Sequence, residues 1–295
     1  MQRLMVSFVS LGMMFGSLIA GADGDTKVAA LIKQARAALG GDSKLAKIQG
    51  LSAAGTLARE MGDRQVTGEL TIDMQLPDKM VRTDSMSPMG DATIVLISGV
   101  NGETLIRNSK TLNAGPGLMV RMPPPPAAGS DAETQALRAA RADLARLAVA
   151  FLLTPPASMP LEFTDGGEAE SPDGKADVVN VKGPGSFAAR PFFDKSSHRP
   201  LMLSYQGVAP RMVVQTMRGG PPPDPAAQGH GNEAAAAQPP QAVDILMFLD
   251  DYRPVDGVMF PHHVSRSVDG KTTEEWTFKT IKVNPTFKPD AFSGK

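Results

Sequence analysis

The chain of 295 residues contains no cysteine. That absence removes disulfides, thiol nucleophiles, cysteine-ligated metals and lipid attachment at an N-terminal cysteine together. It has one tryptophan, two tyrosines and four histidines. Two of the histidines, His262 and His263, are adjacent, and on a strand neighbours point to opposite faces, so they make a poor shared metal site. No H-E-x-x-H helix, G-x-S-x-G elbow, Walker loop or G-x-G-x-x-G is present. Asp250 and Asp251 also alternate across a strand pattern and make a poor acid/base pair. The reading is a chain with no catalytic residues, no metal and no cofactor: not an enzyme. Net charge is also lacking, at −1 overall. Without a block of basic residues there is no reason to expect nucleic acid or an electrostatic membrane patch.

Long apolar runs are absent except at the start. Leu4 to Ala20 is free of charge, Arg3 precedes it, and Ala20-Gly21-Ala22 is an A-x-A cleavage pattern. The run is shorter than the roughly 20 apolar residues of a membrane anchor and is diluted by serine and glycine. Residues 1–22 therefore read as a cleaved signal peptide and 23–295 as one exported, periplasmic domain. Taking away the leader removes one base and no acid, leaving the remainder near −2.

What is present is mostly strand pattern. The stretch from Asp244 to Phe292 organises it: Val243, Ile245, Met247 and Leu249 alternate with polar neighbours, and Leu246 and Phe248 suggest cover on both faces. Pro254 and Asp256-Gly257 turn the chain, and Asp269-Gly270 fits a type I′ hairpin. Thr272 to Val283 follows, with Trp276 and Phe278 on one face and Glu275, Thr277 and Lys279 on the other. Asp251-Tyr252-Arg253 reads as a polar strand end feeding a turn. Earlier strands are expected at 51–60, 65–76, 79–86, 93–98 and 103–108, with turns at Gly62-Asp63, Pro77-Asp78 and Asn101-Gly102. Later ones fall at 161–163, 176–181, 187–193, 201–205 and 212–217. Short strands with Gly, Asn and Asp turns describe one antiparallel sheet, not βαβ units.

Two helices interrupt the strands. Val28, Leu31, Ile32, Ala35 and Leu39 give residues 25–39 an apolar face, stopped at Gly40-Gly41. Asp42 is expected to cap a short turn holding Leu45 and Ile48. Ser130 and Glu133 fit a capping box. From there Leu137, Ala140, Leu144, Leu147, Ala148 and Phe151 form a stripe that ends at Thr154-Pro155-Pro156. Arg138, Arg141, Asp143 and Arg146 read as its solvated side. Residues 218–241, rich in Pro, Gly and Ala, cannot offset the entropy of ordering and read as a disordered insertion.

The pattern resembles a known family. A helix ending in Ala38-Leu39-Gly40-Gly41 leads to Leu45, Ile48, Gly50 and Leu51 and a strand holding Gly55, which is similar to the opening of exported LolA/LolB-type proteins. Phe192-Phe193-Asp194, Ser197 and Pro200-Leu201 resemble that family's hairpin. Asp251 to Pro261 resembles the closing D-Y-R-x-V-D-G-V-x-F-P segment of its uncharacterised members, and Asn284-Pro285 with Phe292 matches the usual ending. The resemblance implies an α+β, mostly antiparallel fold: an incomplete half β-barrel of about 9–12 strands wrapping two main helices. It implies a lipid or lipoprotein acyl chain as partner, in a monomer with a role in outer-membrane biogenesis.

Thirteen of the seventeen methionines follow the leader, and flexible thioethers suit varied apolar partners. The plainer account is that they fill a core covered by the two helices, and the sharper one is a concave sheet whose inner face partly holds an acyl chain. Leu70, Ile72, Met74, Met247, Trp276 and Phe278, on apolar strand faces, are the candidate ligand-binding residues. A second class of function stands beside this one: a sensor or protein-interaction module using strand edges or the 218–241 loop, with an envelope membrane protein as partner.

Overall fold

The structure, a computed structural model, describes residues 22–89, 92–113, 127, 129–172, 174–208 and 242–294. The expected signal peptide (but for Ala22), the strand at 212–217 and the insertion at 218–241 lie outside the described residues. Helix α1 spans Ala22–Ala38 and the short α2 spans Asp42–Leu45. Five strands follow: β1 Gly50–Met61, β2 Arg64–Gln75, β3 Lys79–Met89, β4 Ala92–Asn101 and β5 Thr104–Leu112. Helix α3, Asp131–Leu152, comes next. The remaining strands are β6 Glu162–Ser171, β7 Gly174–Gly183, β8 Phe187–Asp194 and β9 Pro200–Val208, then β10 Ala242–Val255, β11 Val258–Val268 and β12 Lys271–Val283.

All twelve strands form one open antiparallel sheet in the order β5-β4-β3-β2-β1-β12-β11-β10-β9-β8-β7-β6. Each neighbour is the next strand in sequence except at the centre, where β1 pairs with β12. The sheet is thus two meanders joined at one seam, and α3 is the connection between its two edge strands. Gly55 sits on the seam where the register shifts, and a Cβ there would lie 2.0 Å from the Thr277 carbonyl oxygen. Only glycine lets the two strands approach so closely.

Turn chemistry agrees with the sequence at most joints. Asp256-Gly257 and Asp269-Gly270 have positive φ at both positions, as a type I′ turn requires. Two turns differ. Asn101 pairs with Thr104, so the tight turn is Gly102-Glu103, one residue later than expected. Pro254 pairs with Met259 inside the hairpin, so the turn is Asp256-Gly257 alone, and Asp251-Tyr252-Arg253 lie in the last part of β10, which ends at Val255. Asp42 likewise is the first residue of α2, whose N-cap is Gly41 with no side-chain cap. The Ser130 cap is met: its Oγ accepts from Glu133 N at 3.1 Å, while Glu133 reaches back to Gly129 N instead of Ser130 N.

One face of the sheet carries the main core, in which α1 and α3 are packed. Ala35 from α1, Leu39 just past its end, and Leu144, Leu147 and Phe151 from α3 join Leu70, Ile72, Trp276 and Phe278 in it. Phe151 meets Phe278 edge-on at 6.1 Å. On the opposite face a small second cluster of Val81, Ile97 and Ile106 is covered by Phe292. Helix α3 touches β4 and β5 near one edge and β8 and β9 near the other, while α1 lies along β6.

The motifs that carried the family resemblance meet in space. Met259 N donates to Leu39 O at 2.8 Å, and Lys44 Nζ to Gly257 O at 3.1 Å. Gly40 has φ 127°, and a Cβ there would lie 2.5 Å from Gly257 O. The end of α1 and the β10–β11 turn therefore need each other's glycines. Asp194 closes the β8–β9 turn by accepting from Ser196 N at 3.1 Å and Ser197 N at 2.6 Å.

Candidate functional site

Two hollows adjoin the helices. The larger, of about 480 Å³, is a groove open to solvent between α1 and β6, walled by Val28, Ala29, Ile32 and Phe163. Its cations, Lys33 and Arg36, and its acid, Asp42, stand around that apolar wall. Val28 belongs to the main core, and Ile32 and Phe163 pack against it. Arg36 also ties the groove to α3. Its Nη1 donates to Leu153 O at 2.8 Å and Thr154 Oγ1 at 2.9 Å, and its Nε pairs with Asp42. Leu153 is the C-cap of α3 at φ 48°, so the guanidinium meets carbonyls that the helix cannot satisfy itself.

The smaller hollow, of about 80 Å³, lies beneath α3 and is lined by Arg82, Asp143, Arg146, Tyr205, Arg266 and Trp276 among others. Behind it is a buried charge network on β1, β3, β11 and β12. Arg82 Nε donates to Asp84 Oδ1 at 2.7 Å, Arg59 Nη2 to Asp84 Oδ2 at 2.5 Å, and Arg82 Nη2 to Glu274. Trp276 Nε1 also donates to Glu274, and Arg266 Nη1 stands 3.6 Å from it. Burial opposes the charge of Glu274, but Arg82, Arg59 and Arg266 outweigh it and hold the carboxyl far below the usual range. Burial likewise opposes the charge of Arg82, and Glu274 and Asp84 more than reverse that, raising it. The Arg82 guanidinium lies 4.9 Å from the Trp276 ring centre, a stacked cation–π contact.

Tyr205 joins the network to the helix. Its hydroxyl accepts from Arg266 Nη2 at 3.2 Å, and its ring lies 4.1 Å under the Arg146 guanidinium. Burial raises the phenol, against the pull of Arg266. Arg146 therefore departs from the solvated helix side read from the sequence, its side chain being only 14% exposed. Arg141 departs too, donating to Gly102 O at 3.0 Å. The aromatic ring and the turn carbonyl give these cations partners that water would otherwise supply.

The six candidate ligand-binding residues fall together on the helix-covered face, all buried. Ile72, Met247 and Trp276 line the smaller hollow, while Leu70, Met74 and Phe278 pack in the core beside it. None lines the groove against α1. The sequence reading missed Arg59, Arg82, Asp84, Arg266 and Glu274. Period-two parity was the available signal, since Glu274 shares its face with Trp276 and Phe278, and Arg82 with Asp84. Among the described residues no group of three or more acidic or histidine side chains is placed to hold a metal, and no helix is long and apolar enough to cross a membrane. His262 is buried with Nδ1 3.1 Å from Phe260 O.

Neither a protein-family model nor a curated protein matches the chain. Solved structures do. A LolA superfamily protein from Nitrosomonas europaea aligns at TM-score 0.47 with 8% identity, covering 90% of this chain and 96% of that one. A DUF1329 family protein from Desulfovibrio piger aligns at 0.44 with 9% identity and the same coverage. A domain described as outer membrane lipoprotein-sorting, from Vibrio parahaemolyticus, gives 0.43 and 8%, again with 90% and 96% covered. All three align along most of both chains at TM-scores below 0.5.

Proposed function

We propose that this chain is an exported, non-enzymatic binding protein that holds a lipid or lipoprotein acyl chain. In this reading residues 1–22 direct export to the periplasm, and residues 23–295 form a half-barrel that curls around α1 and α3. The observation that supports it is the groove between α1 and β6. Its volume, about 480 Å³, lies in the range of small-molecule sites, its wall is apolar and its cations stand beside that wall. An acyl chain contributes roughly 0.8 kcal/mol for each methylene it buries, so partial cover is enough for useful affinity. A chain passing beneath α3 would meet Ile72, Met247 and Trp276, backed by Leu70, Met74 and Phe278.

Native mass spectrometry of the protein purified after export is the test. Co-purified lipid and saturable binding of a fluorescent fatty acid are expected, with Ile32→Asp weakening the probe at least tenfold. A lipid-free protein that binds no probe would sink the reading. Brominated fatty acids quenching Trp276 would place the chain beneath α3, and binding without quenching would place it in the groove.

A second reading rests on the open sheet. Among the described residues β5 and β6 each pair on one side only, leaving edges on which a partner strand can add. A sensor or interaction module of this kind would capture an envelope protein through an edge or through residues 218–241. Deleting 218–241 separates the readings, since lipid binding survives and loop-mediated capture does not.

A further inference from the structure

We infer that the hollow beneath α3 is an oxyanion site, built to take the carboxylate or phosphate head group of an amphiphile. The inference rests on the acyl-binding reading and names the class of ligand. Four guanidinium groups, Arg59, Arg82, Arg146 and Arg266, gather here against three carboxylates, Asp84, Asp143 and Glu274. Arg59 and Arg82 are engaged by Asp84 and Glu274. Arg146 and Arg266 are not fully engaged. The Nε of each is buried and has no hydrogen-bond partner among the described residues. Native structures leave few buried donors in that state, because an unpaired one keeps its whole desolvation cost.

These two arginines reach the hollow from opposite sides, one from α3 and one from β11, and Tyr205 steadies both. Its ring face supports Arg146 and its hydroxyl receives Arg266. The volume of about 80 Å³ is several times the roughly 10–15 Å³ that one water requires, so a carboxylate or phosphate group fits. Guanidinium groups are the side chains best matched to such oxyanions. The one acid lining the hollow, Asp143, is committed to Arg146 Nη1 at 2.8 Å. Apart from the Ser98 hydroxyl, the rest of the lining is apolar, made by Ile72, Met80, Leu147 and Met247 with the Trp276 ring, as the join between head group and chain requires. A cluster serving only to hold α3 on the sheet would use the same ion pairs but would not distinguish charged from neutral amphiphiles.

Trp276 is the chain's only tryptophan and lines the hollow, so its fluorescence reads occupancy directly. The full chain is titrated with octanoate, octyl phosphate, octanol and inorganic phosphate. Octanoate and octyl phosphate are expected to shift Trp276 emission and to bind at least tenfold more tightly than octanol. Combining Arg146→Gln with Arg266→Gln should bring them down to octanol's affinity, while Arg146→Lys with Arg266→Lys keeps the preference in part. Equal affinity of octanoate and octanol for the unaltered chain overturns the oxyanion site and leaves acyl binding standing, with no variant needed. Inorganic phosphate shifting Trp276 while no octyl ligand binds keeps the anion site as one for free phosphate and overturns the acyl reading. A Trp276 silent toward all four ligands overturns the oxyanion site, and a fluorescent fatty acid that also fails to bind overturns the acyl reading with it.

Discussion

The groove between α1 and β6 keeps its charges beside an apolar wall, whereas the hollow beneath α3 keeps them inside. Lys33 and Asp42 at the groove face water, which can take over the Asp42 carboxylate when its pairing with Arg36 is lost. Glu274 and Asp84 beneath α3 are nearly out of reach of water and must be answered by protein groups. The sheet gathers its buried carboxylates in one place, on β3 and β12, and leaves the α1 side free for apolar contact.

The sharpest way to break that comparison is Glu274→Ala. It leaves three arginines around a single remaining carboxylate, and breaking such a buried set costs about 3–5 kcal/mol. Urea denaturation should show the loss, while an equal truncation at the groove, Asp42→Ala, should change stability by less than about 1 kcal/mol.

Acid sharpens the same contrast. The folded-state carboxyl of Glu274 is depressed below its ordinary 4.5. Its contribution is therefore complete above pH 4.5 and is lost as pH falls from there toward the folded value. The Glu274→Gln chain should show a flatter stability curve below pH 4.5 than the unaltered chain, measured by denaturant midpoints at successive pH values. A curve as steep in the variant would mean that other groups drive acid unfolding.

Arg36→Ala tests the link between the two regions. It removes the donors that meet Leu153 O and Thr154 Oγ1 at the end of α3, and charge-assisted bonds of this kind contribute about 1.5–3 kcal/mol. Amide exchange should speed in the last turn of α3 and along α1, and remain unchanged at β3 and β12. The smallest effect is expected from Ser130→Ala, about 1 kcal/mol from a lost N-cap.

Much of the fold could be read from local signals. Hairpin turns such as Asp269-Gly270 announce themselves because two residues must adopt positive φ, and strands between them follow by alternation. The capping box at Ser130 is local in the same way. The charge network was legible only in parity: Glu274 stands two residues from Trp276, but nothing nearby says that Arg82, nearly two hundred positions away, is its partner. Arg146 misled for a related reason. A helical arginine at a polar position reads as solvated until a ring such as Tyr205, on another strand, covers it. The groove was invisible because it depends on how α1 lies against β6, and neither element's own pattern fixes that angle.

The seam between β1 and β12 sets the order in which the molecule can be assembled. Leu51 must find Val283 across most of the chain, whereas every other strand meets a neighbour joined to it in sequence, directly or through the 209–241 segment. Closing so large a loop is slow compared with folding a hairpin. Each meander can therefore be ready early, but the finished sheet waits for the last strand to be delivered.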